Sequence, residues 1–325
     1  MKITITDGYT ANPGDLSWNE WESISDNSGN KCEFHVYDRT APEEVTGRVA
    51  DAEIVLTNKV IFSKEVLEAL PKLKYIGVLA TGYNVVDIAE AKRRGITVTN
   101  IPAYSTTSVA QLAIAHLLHI TNNVAGHSDS VKEGAWTACQ DFTYTLSPQR
   151  ELAGQTFAVI GLGNTGMATA IIAHALGMRI LAFTSKAKEQ LPDFIEKARD
   201  MEEIFMRADV LSLHCPLTED THHIVNEKTL AMMRPEAIII NTGRGPLIDE
   251  DALANALREN RIYAAGIDVL ATEPPREGSP LIEAPRCYIT PHIAWATKAA
   301  RKRLLQTALD NVKAFIAGNP TNAIV

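Results

Sequence analysis

Cysteine is scarce in this 325-residue chain, and its four copies, Cys32, Cys139, Cys215 and Cys287, stand far apart. No two share a metal-ligand spacing or a C-x-x-C. A disulfide-stapled scaffold and a thiolate metal site are therefore excluded, and a reduced, cytoplasmic setting is expected. Positive charge is also short: 31 Lys and Arg against 39 Asp and Glu leave a formal net charge of −8. With no basic run or stripe, a nucleic-acid partner is not expected. Long hydrophobic runs are missing too. The longest, Val109–Ile120, is broken by Gln111, His116 and His119, so no membrane span is expected. Met1-Lys2 leads into the alternating Ile3-Thr4-Ile5-Thr6, which reads as a strand and not as a signal peptide.

What the chain does have is alternation of strand and helix patterns, over a length that suits two domains. In the first hundred residues the strands are expected at Ile3–Thr6, Glu33–Tyr37, Ile54–Leu56, Tyr75–Ala80 and Ile96–Thr99. Helical patterns such as Lys64–Leu70 and Val85–Arg94 lie between them, stopped by Pro71 and Gly95. Such alternation means a parallel sheet covered on both faces. No glycine fingerprint occurs in this part. Pro102 ends it, and a helix follows that is expected to open on a capping box, Ser108-x-x-Gln111. That helix is apolar nearly all round, which suits either a core helix or one buried between domains or subunits.

The second series is expected to hold six strands: Phe157–Ile160, Arg179–Phe183, Asp209–Leu213, Ala237–Asn241, Tyr263–Ile267 and Cys287–Ile289. The first runs into Gly161-Leu162-Gly163-Asn164-Thr165-Gly166, followed by a helical stretch from Met167 to Leu176. Strand, glycine turn and helix form the context a dinucleotide fingerprint needs. One glycine permits the turn, the next lets backbone approach a pyrophosphate, and the third lets helix pack on strand. The diphosphate would sit on free N–H groups at the helix start. A final helix, Lys298–Ala317, could fold back on the first domain.

Several motifs follow in order: Leu152-Ala153-Gly154, His214-Cys215-Pro216-Leu217-Thr218, Asn241-Thr242-Gly243-Arg244-Gly245-Pro246, Gly266-Ile267-Asp268-Val269 with Glu273-Pro274-Pro275, and Thr290-Pro291-His292-Ile293-Ala294. Together they resemble the D-2-hydroxyacid dehydrogenase family over essentially the whole chain. Leu56-Thr57-Asn58-Lys59-Val60, Ala80-Thr81-Gly82 and His292-Ile293-Ala294-Trp295 are most similar to its glycerate dehydrogenase (hydroxypyruvate reductase) branch. The resemblance implies two doubly wound parallel-sheet domains: a discontinuous, flavodoxin-like substrate domain (1–101 and 296–325) and an inserted Rossmann nucleotide-binding domain (102–295). It also implies a homodimer, with the helix from Ser108 to Thr121 near its interface.

Reducing a 2-oxoacid needs a carboxylate anchor, a proton for the carbonyl oxygen and a hydride held in line. His292 is the expected acid, because an imidazole titrates near neutral pH. Glu273 would pair with it and favour the imidazolium. Arg244, between two glycines, can offer its planar fork to the substrate carboxylate and carbonyl. By the resemblance, backbone N–H groups of Thr81 and Gly82 complete the carboxylate site and Trp295 bounds the pocket. Without the family match these residues read as a structural histidine, a solvated carboxylate, a surface arginine, a turn and a core aromatic.

For the cofactor, Gly161 to Gly166, with Leu162, Gly163, Asn164 and Thr165, would cover the pyrophosphate. Cys215, Pro216 and Thr221 would line its far side. Thr106, Thr242 and Asp268 match family positions near the nicotinamide, Asp268 orienting the carboxamide, although each could instead be a cap or strand-end residue. The acid expected after the second strand is missing; Ala182-Phe183-Thr184-Ser185-Lys186 stands there. Ser185 and Lys186 could bind a 2′-phosphate, so NADP is expected beside NAD and slightly ahead of it. No metal is expected: His222-His223 lacks a third ligand, and His116 and His119 sit in an apolar helix. The expected activity is NAD(P)-dependent reduction of hydroxypyruvate or glyoxylate. A D-lactate or branched 2-oxoacid dehydrogenase, or a nicotinamide-sensing corepressor-like protein, are the alternatives.

Overall fold

Runs of Ile, Val and Leu four or five residues long, punctuated by Gly, Pro and Asp, are too short for helices and too apolar for exposed edges, so they become buried parallel strands. The computed structural model describes residues 1–325. The chain divides into two units, Met1–Ser105 with Ala296–Val325, and Thr106–Trp295.

The first unit holds β1 (Lys2–Ile5), β2 (Glu33–Val36), β3 (Ile54–Thr57), β4 (Tyr75–Val78) and β5 (Thr97–Thr99), all parallel, in the order β2-β1-β3-β4-β5. This is the flavodoxin-like order, with its reversal between β1 and β3. Helices Lys64–Glu68 and Ile88–Arg93 start one residue after Ser63 and Asp87, whose side chains accept N–H bonds from Val66 and Glu90. The Lys298–Ile316 helix belongs to this unit, capped by Thr297 and packed along β4. Its Arg301, 7% exposed, holds Asp15 through two short bonds of 2.6 and 2.8 Å. At the carboxyl edge, buried Asp7 accepts the N–H groups of Asn58 (2.8 Å) and Lys59 (2.6 Å). The Thr81 turn is pinned in a similar way: its hydroxyl donates to Ile101 O (2.8 Å), and Asn100 Nδ2 donates to its carbonyl (2.7 Å).

The second unit has seven parallel strands, one more than the sequence pattern predicts. They are β6 (Thr156–Ile160), β7 (Arg179–Phe183), β8 (Ile195–Lys197), β9 (Val210–Leu213), β10 (Ile238–Asn241), β11 (Ala264–Ile267) and β12 (Cys287–Ile289). Their order is β12-β11-β10-β9-β6-β7-β8, the doubly wound dinucleotide-binding arrangement with a further strand at one edge. The unanticipated strand is β8. It is three residues long at the sheet edge and buries only Ile195, so it carries no alternation to read.

Two helix starts also differ from expectation. The helix after Pro102 is Thr106–Asn122, and Ser108 is a buried first-turn residue, not its cap. It is buried against its own unit along Ala110, Ala113, His116, Leu117 and Ile120, while Gln111, Ala115 and Leu118 are exposed. So it is not covered all round within this chain. The helix after the glycine turn begins at Asn164, three residues ahead of Met167, and runs to Ala175. It packs against the Thr106–Asn122 helix on one face of the sheet.

Candidate active site

In the inserted unit the order of strands reverses between β6 and β9, and the chemistry-bearing turns follow the carboxyl ends of the strands there. Gly161 leaves β6 with φ +91°, and a Cβ placed on it would lie 2.5 Å from Cys215 N, just past β9. A Cβ on Gly166 would lie 2.1 Å from the Gly161 carbonyl oxygen, so helix and turn touch only because both are glycine. Gly163 is different. Its φ of −76° suits any residue, and a Cβ there would meet nothing within 4 Å. No side chain caps the helix that starts at Asn164. Open space above uncapped N–H groups at a helix start is what a diphosphate requires. Thr242 adds a second sign: it is 8% exposed, and its buried hydroxyl oxygen has no hydrogen-bond partner. These residues fit a dinucleotide.

The walls around that turn are built from the following loops. The Thr221 hydroxyl donates to Pro216 O at 2.7 Å and accepts the Thr218 N–H at 2.8 Å, closing the loop after β9. Burial pushes the Cys215 thiol up, so it packs as a small protonated hydrophobe. Burial also brings His214 down to about 4, and its neutral ring shares a 2.8 Å bond with the Ser212 hydroxyl. After β7, Ser185 and Lys186 are exposed, and Lys197 on β8 donates through Nζ to the Lys186 carbonyl at 2.6 Å. Thr184, Ser185 and Lys186, with Lys197 of β8 beside them, therefore stand at the end of β7 where a ribose-binding acid is common.

His292 and Glu273 meet at the far end of the sheet. His292 Nδ1 lies 2.7 Å from Glu273 Oε2, both side chains about 30% exposed. The other carboxylate oxygen, Oε1, accepts the Leu270 N–H at 3.0 Å, which fixes the carboxylate relative to the end of β11. The contact engages Nδ1 and leaves Nε2 outside the pair. Arg244 follows β10 on an exposed turn. Its own Nη1 donates to the Gly243 carbonyl at 2.8 Å, and Asn241 Nδ2 donates to its carbonyl at 2.9 Å. A Cβ on Gly245 would lie 2.0 Å from the Leu270 carbonyl carbon. That contact brings the Arg244 turn against the segment that holds Glu273. A cavity of about 520 Å³ opens beside the pair, lined by Asp268, Glu273 and His292 together with Ile282, Cys287 and Ile289. The Cys287 thiol is pushed up to about 12 by burial and by the charge of Glu250, so it offers no thiolate at neutral pH.

Asp268, 1% exposed, does more than a strand-end residue. Its Oδ1 accepts the Thr290 hydroxyl (2.6 Å) and the Ile293 N–H (2.9 Å), and its Oδ2 accepts the Ala294 N–H (2.9 Å). The carboxylate thus holds the loop that carries His292, a network the sequence motifs do not reveal. Thr106 begins the long helix and Trp295 closes the unit, half-buried, while Thr81 and Gly82 belong to the first unit. His222 and His223 stack on each other at 3.9 Å, and no group of three or more His, Cys, Asp or Glu side chains could hold a metal ion.

The family model for the D-isomer specific 2-hydroxyacid dehydrogenase NAD binding domain matches residues 114–294, more than half of the chain. The chain belongs to this family. It is an NAD(P)-dependent oxidoreductase of the 2-hydroxyacid dehydrogenase type. A hydroxypyruvate reductase of Blautia hydrogenotrophica is 45% identical to this dehydrogenase over 100% of the chain and 99% of the relative. A glycerate dehydrogenase of Methylorubrum extorquens is 41% identical over 90% and 92% of the two chains. Among solved structures, the NADPH-dependent glyoxylate/hydroxypyruvate reductase of Sinorhizobium meliloti, in complex with NADP and malonate, aligns with a TM-score of 0.81 at 28% identity, covering 100% and 96%. No helix of the dehydrogenase is long and apolar enough to cross a membrane.

Proposed function

We propose that this dehydrogenase reduces hydroxypyruvate, and glyoxylate beside it, to the corresponding D-2-hydroxy acid. The observation that carries the reading is the 2.7 Å pair of His292 and Glu273 in the unit that also holds the glycine turn and Arg244. The names of the hydroxypyruvate reductase and the glycerate dehydrogenase described above point to the same substrate.

The reduced nicotinamide, when bound, supplies the hydride to C2 of the 2-oxoacid. The chain's own residues do the rest. The Arg244 guanidinium draws the substrate carboxylate and carbonyl oxygen into one plane, and it steadies the negative charge that develops on that oxygen. His292 donates the Nε2 proton to the oxygen as C2 becomes tetrahedral, and in the reverse direction it takes the proton back. Glu273 accepts from Nδ1 and so orients the ring. Thr81 and Gly82 add backbone N–H donors for the carboxylate, and Trp295 bounds the substrate. Residues 1–101 and 296–325 act as the substrate domain, and 102–295 as the nucleotide domain. Gly161, Leu162, Gly163, Asn164, Thr165 and Gly166 cover the pyrophosphate; Cys215, Pro216 and Thr221 line its far side. Thr106, Thr242 and Asp268 lie by the nicotinamide.

NADPH is the preferred donor in this reading, because Ser185, Lys186 and Lys197 present donors and positive charge where a carboxylate would repel a 2′-phosphate. The enzyme works as a homodimer. Supporting that are the exposed apolar side chains that follow the long helix: Val124 (71% exposed), Trp136 (51%) and Phe142 (91%). The four free cysteines suit a cytoplasmic setting.

The test is a panel of hydroxypyruvate, glyoxylate, pyruvate and a branched 2-oxoacid, each assayed with NADH and NADPH. The highest kcat/KM is expected for hydroxypyruvate with NADPH. A maximum with pyruvate or the branched acid would replace the substrate, and a strong NADH preference would remove the role given to Lys186.

A further inference from the structure

His116 is the one buried histidine of the long helix, 4% exposed, and neither the acid–base pair nor the nucleotide turn uses it. Its ring lies over β11 where Gly266 leaves room: a Cβ there would come within 2.6 Å of His116 Cβ and 2.8 Å of its Cγ. Across that gap His116 Nε2 reaches the Thr290 hydroxyl at 3.1 Å. The hydroxyl has one hydrogen, and at 2.6 Å that hydrogen goes to Asp268 Oδ1. Its oxygen can then only accept, so the tautomer of His116 with the proton on Nε2 completes the chain. From Asp268 the connection continues into backbone: the carboxylate accepts from Ile293 and Ala294, and the Asp268 carbonyl accepts the His292 N–H at 2.8 Å. His292 itself sits at φ +53°, in the left-handed region that a non-glycine residue enters only when its surroundings hold it there.

We propose that His116 is a positioning residue for His292, acting through the Thr290 hydroxyl and the Asp268 carboxylate to hold the acid's backbone in its left-handed conformation. Burial lowers the proton affinity of His116, against the opposing charge of Asp268, so the ring is a neutral donor at neutral pH. The glycine at 266 and the histidine at 116 are one arrangement: the first leaves the space that the second fills. Without the Nε2–H the threonine oxygen loses the bond it accepts, and its 2.6 Å bond to Asp268 is no longer held in direction. The His292 loop then relaxes toward ordinary φ values. A shift of a fraction of an ångström at Nε2 is enough to impair proton transfer.

The inference rests on His292 being the acid of the proposed reduction. The experiment compares His116→Phe, His116→Gln and Thr290→Val with the wild type as the full-length enzyme, measuring kcat, KM for hydroxypyruvate and Tm. His116→Phe keeps the ring volume and loses the donor; kcat is expected to fall about 10- to 100-fold with KM within about twofold of wild type. His116→Gln carries an N–H close to the Nε2 position and is expected to restore kcat to within about threefold of wild type. Thr290→Val should match His116→Phe, and the double variant should be no worse than either single one, as two deletions in one connection are. If His116→Phe does not fold, Thr290→Val and the glutamine variant carry the test.

Equal kcat in the phenylalanine and wild-type enzymes, equal damage from Phe and Gln, or additive loss in the double variant each overturns the proposal. His292→Gln is run alongside. If it retains wild-type kcat, the reading of His292 as the acid fails; if it is impaired while His116→Phe is not, only the positioning role fails.

Discussion

Between Glu273 and His292 the 2.7 Å contact is made by two side chains that are each about 30% exposed. At that exposure the pair is worth little as a stabilising ion pair, and its consequence is chemical: with Nδ1 on the carboxylate, Nε2 is the nitrogen that would carry the proton in the proposed reduction. Replacing His292 by Gln is expected to lower kcat about 10²–10⁴-fold while the dissociation constant of the reduced cofactor, followed by fluorescence, stays nearly unchanged. Glu273→Gln leaves the ring in place but removes the carboxylate that orients Nδ1. Its kcat in the reductive direction should fall at least about tenfold, and a wild-type kcat would break the pairing. Arg244 was legible as a residue from its two glycines, but the reason for Gly245 was not. Only the structure shows the Leu270 backbone 2.0 Å from where its Cβ would be.

Within the strand–turn–helix unit, the three glycines of the fingerprint have separable jobs. Gly161 and Gly166 are required by the protein itself, since added carbons would meet Cys215 N at 2.5 Å and Gly161 O at 2.1 Å. Gly163 is required by nothing in the chain. Gly166→Ala is therefore expected to destabilise the protein by roughly 1–3 kcal/mol, read from urea unfolding. Gly163→Ala should unfold like the wild type and bind cofactor about tenfold more weakly, or about 1.4 kcal/mol. Unchanged cofactor affinity in Gly163→Ala would mean the diphosphate does not lie over this turn. The element limits were readable where a signal sits beside them in sequence. Arg179–Phe183 and Cys287–Ile289 have the expected bounds, and Gly177 precedes the first. They were not readable where the signal is distant. β8 exists because β7 offers a free edge, and its three residues carry too little pattern to announce that. The helix from Thr106 starts ahead of a Ser-x-x-Gln pair that mimics a cap, but its Ser108 is a first-turn residue buried by tertiary packing.

At the scale of the molecule, the exposed Val124, Trp136 and Phe142 distinguish the stretch after the long helix from a surface that only faces water. Sedimentation is expected to return twice the 35.5 kDa chain mass, shifting toward the single chain when Val124 and Phe142 are both changed to Asp. A wild-type protein that sediments as one chain would refute the homodimer. The two sheets follow different routes to one architecture. The order β2-β1-β3-β4-β5 places a reversal after β1, and β6 forms the corresponding reversal in the larger sheet. At both reversals loops diverge from the carboxyl ends of neighbouring strands, and that divergence is the physical origin of a binding crevice in such sheets.

Most of the strand and helix succession and the glycine turn were legible in the amino-acid order, and Arg244, Glu273 and His292 were singled out by motifs that resemble the family. Each is written in residues a few positions apart, where turn chemistry and periodicity operate. What only the tertiary structure decided is how His292 is held: its left-handed backbone, the three bonds on Asp268, and a histidine 174 residues before Thr290 that meets its hydroxyl over a glycine. No local pattern encodes that meeting, because it arises from the register of β11 with β12 and from the helix lying across them.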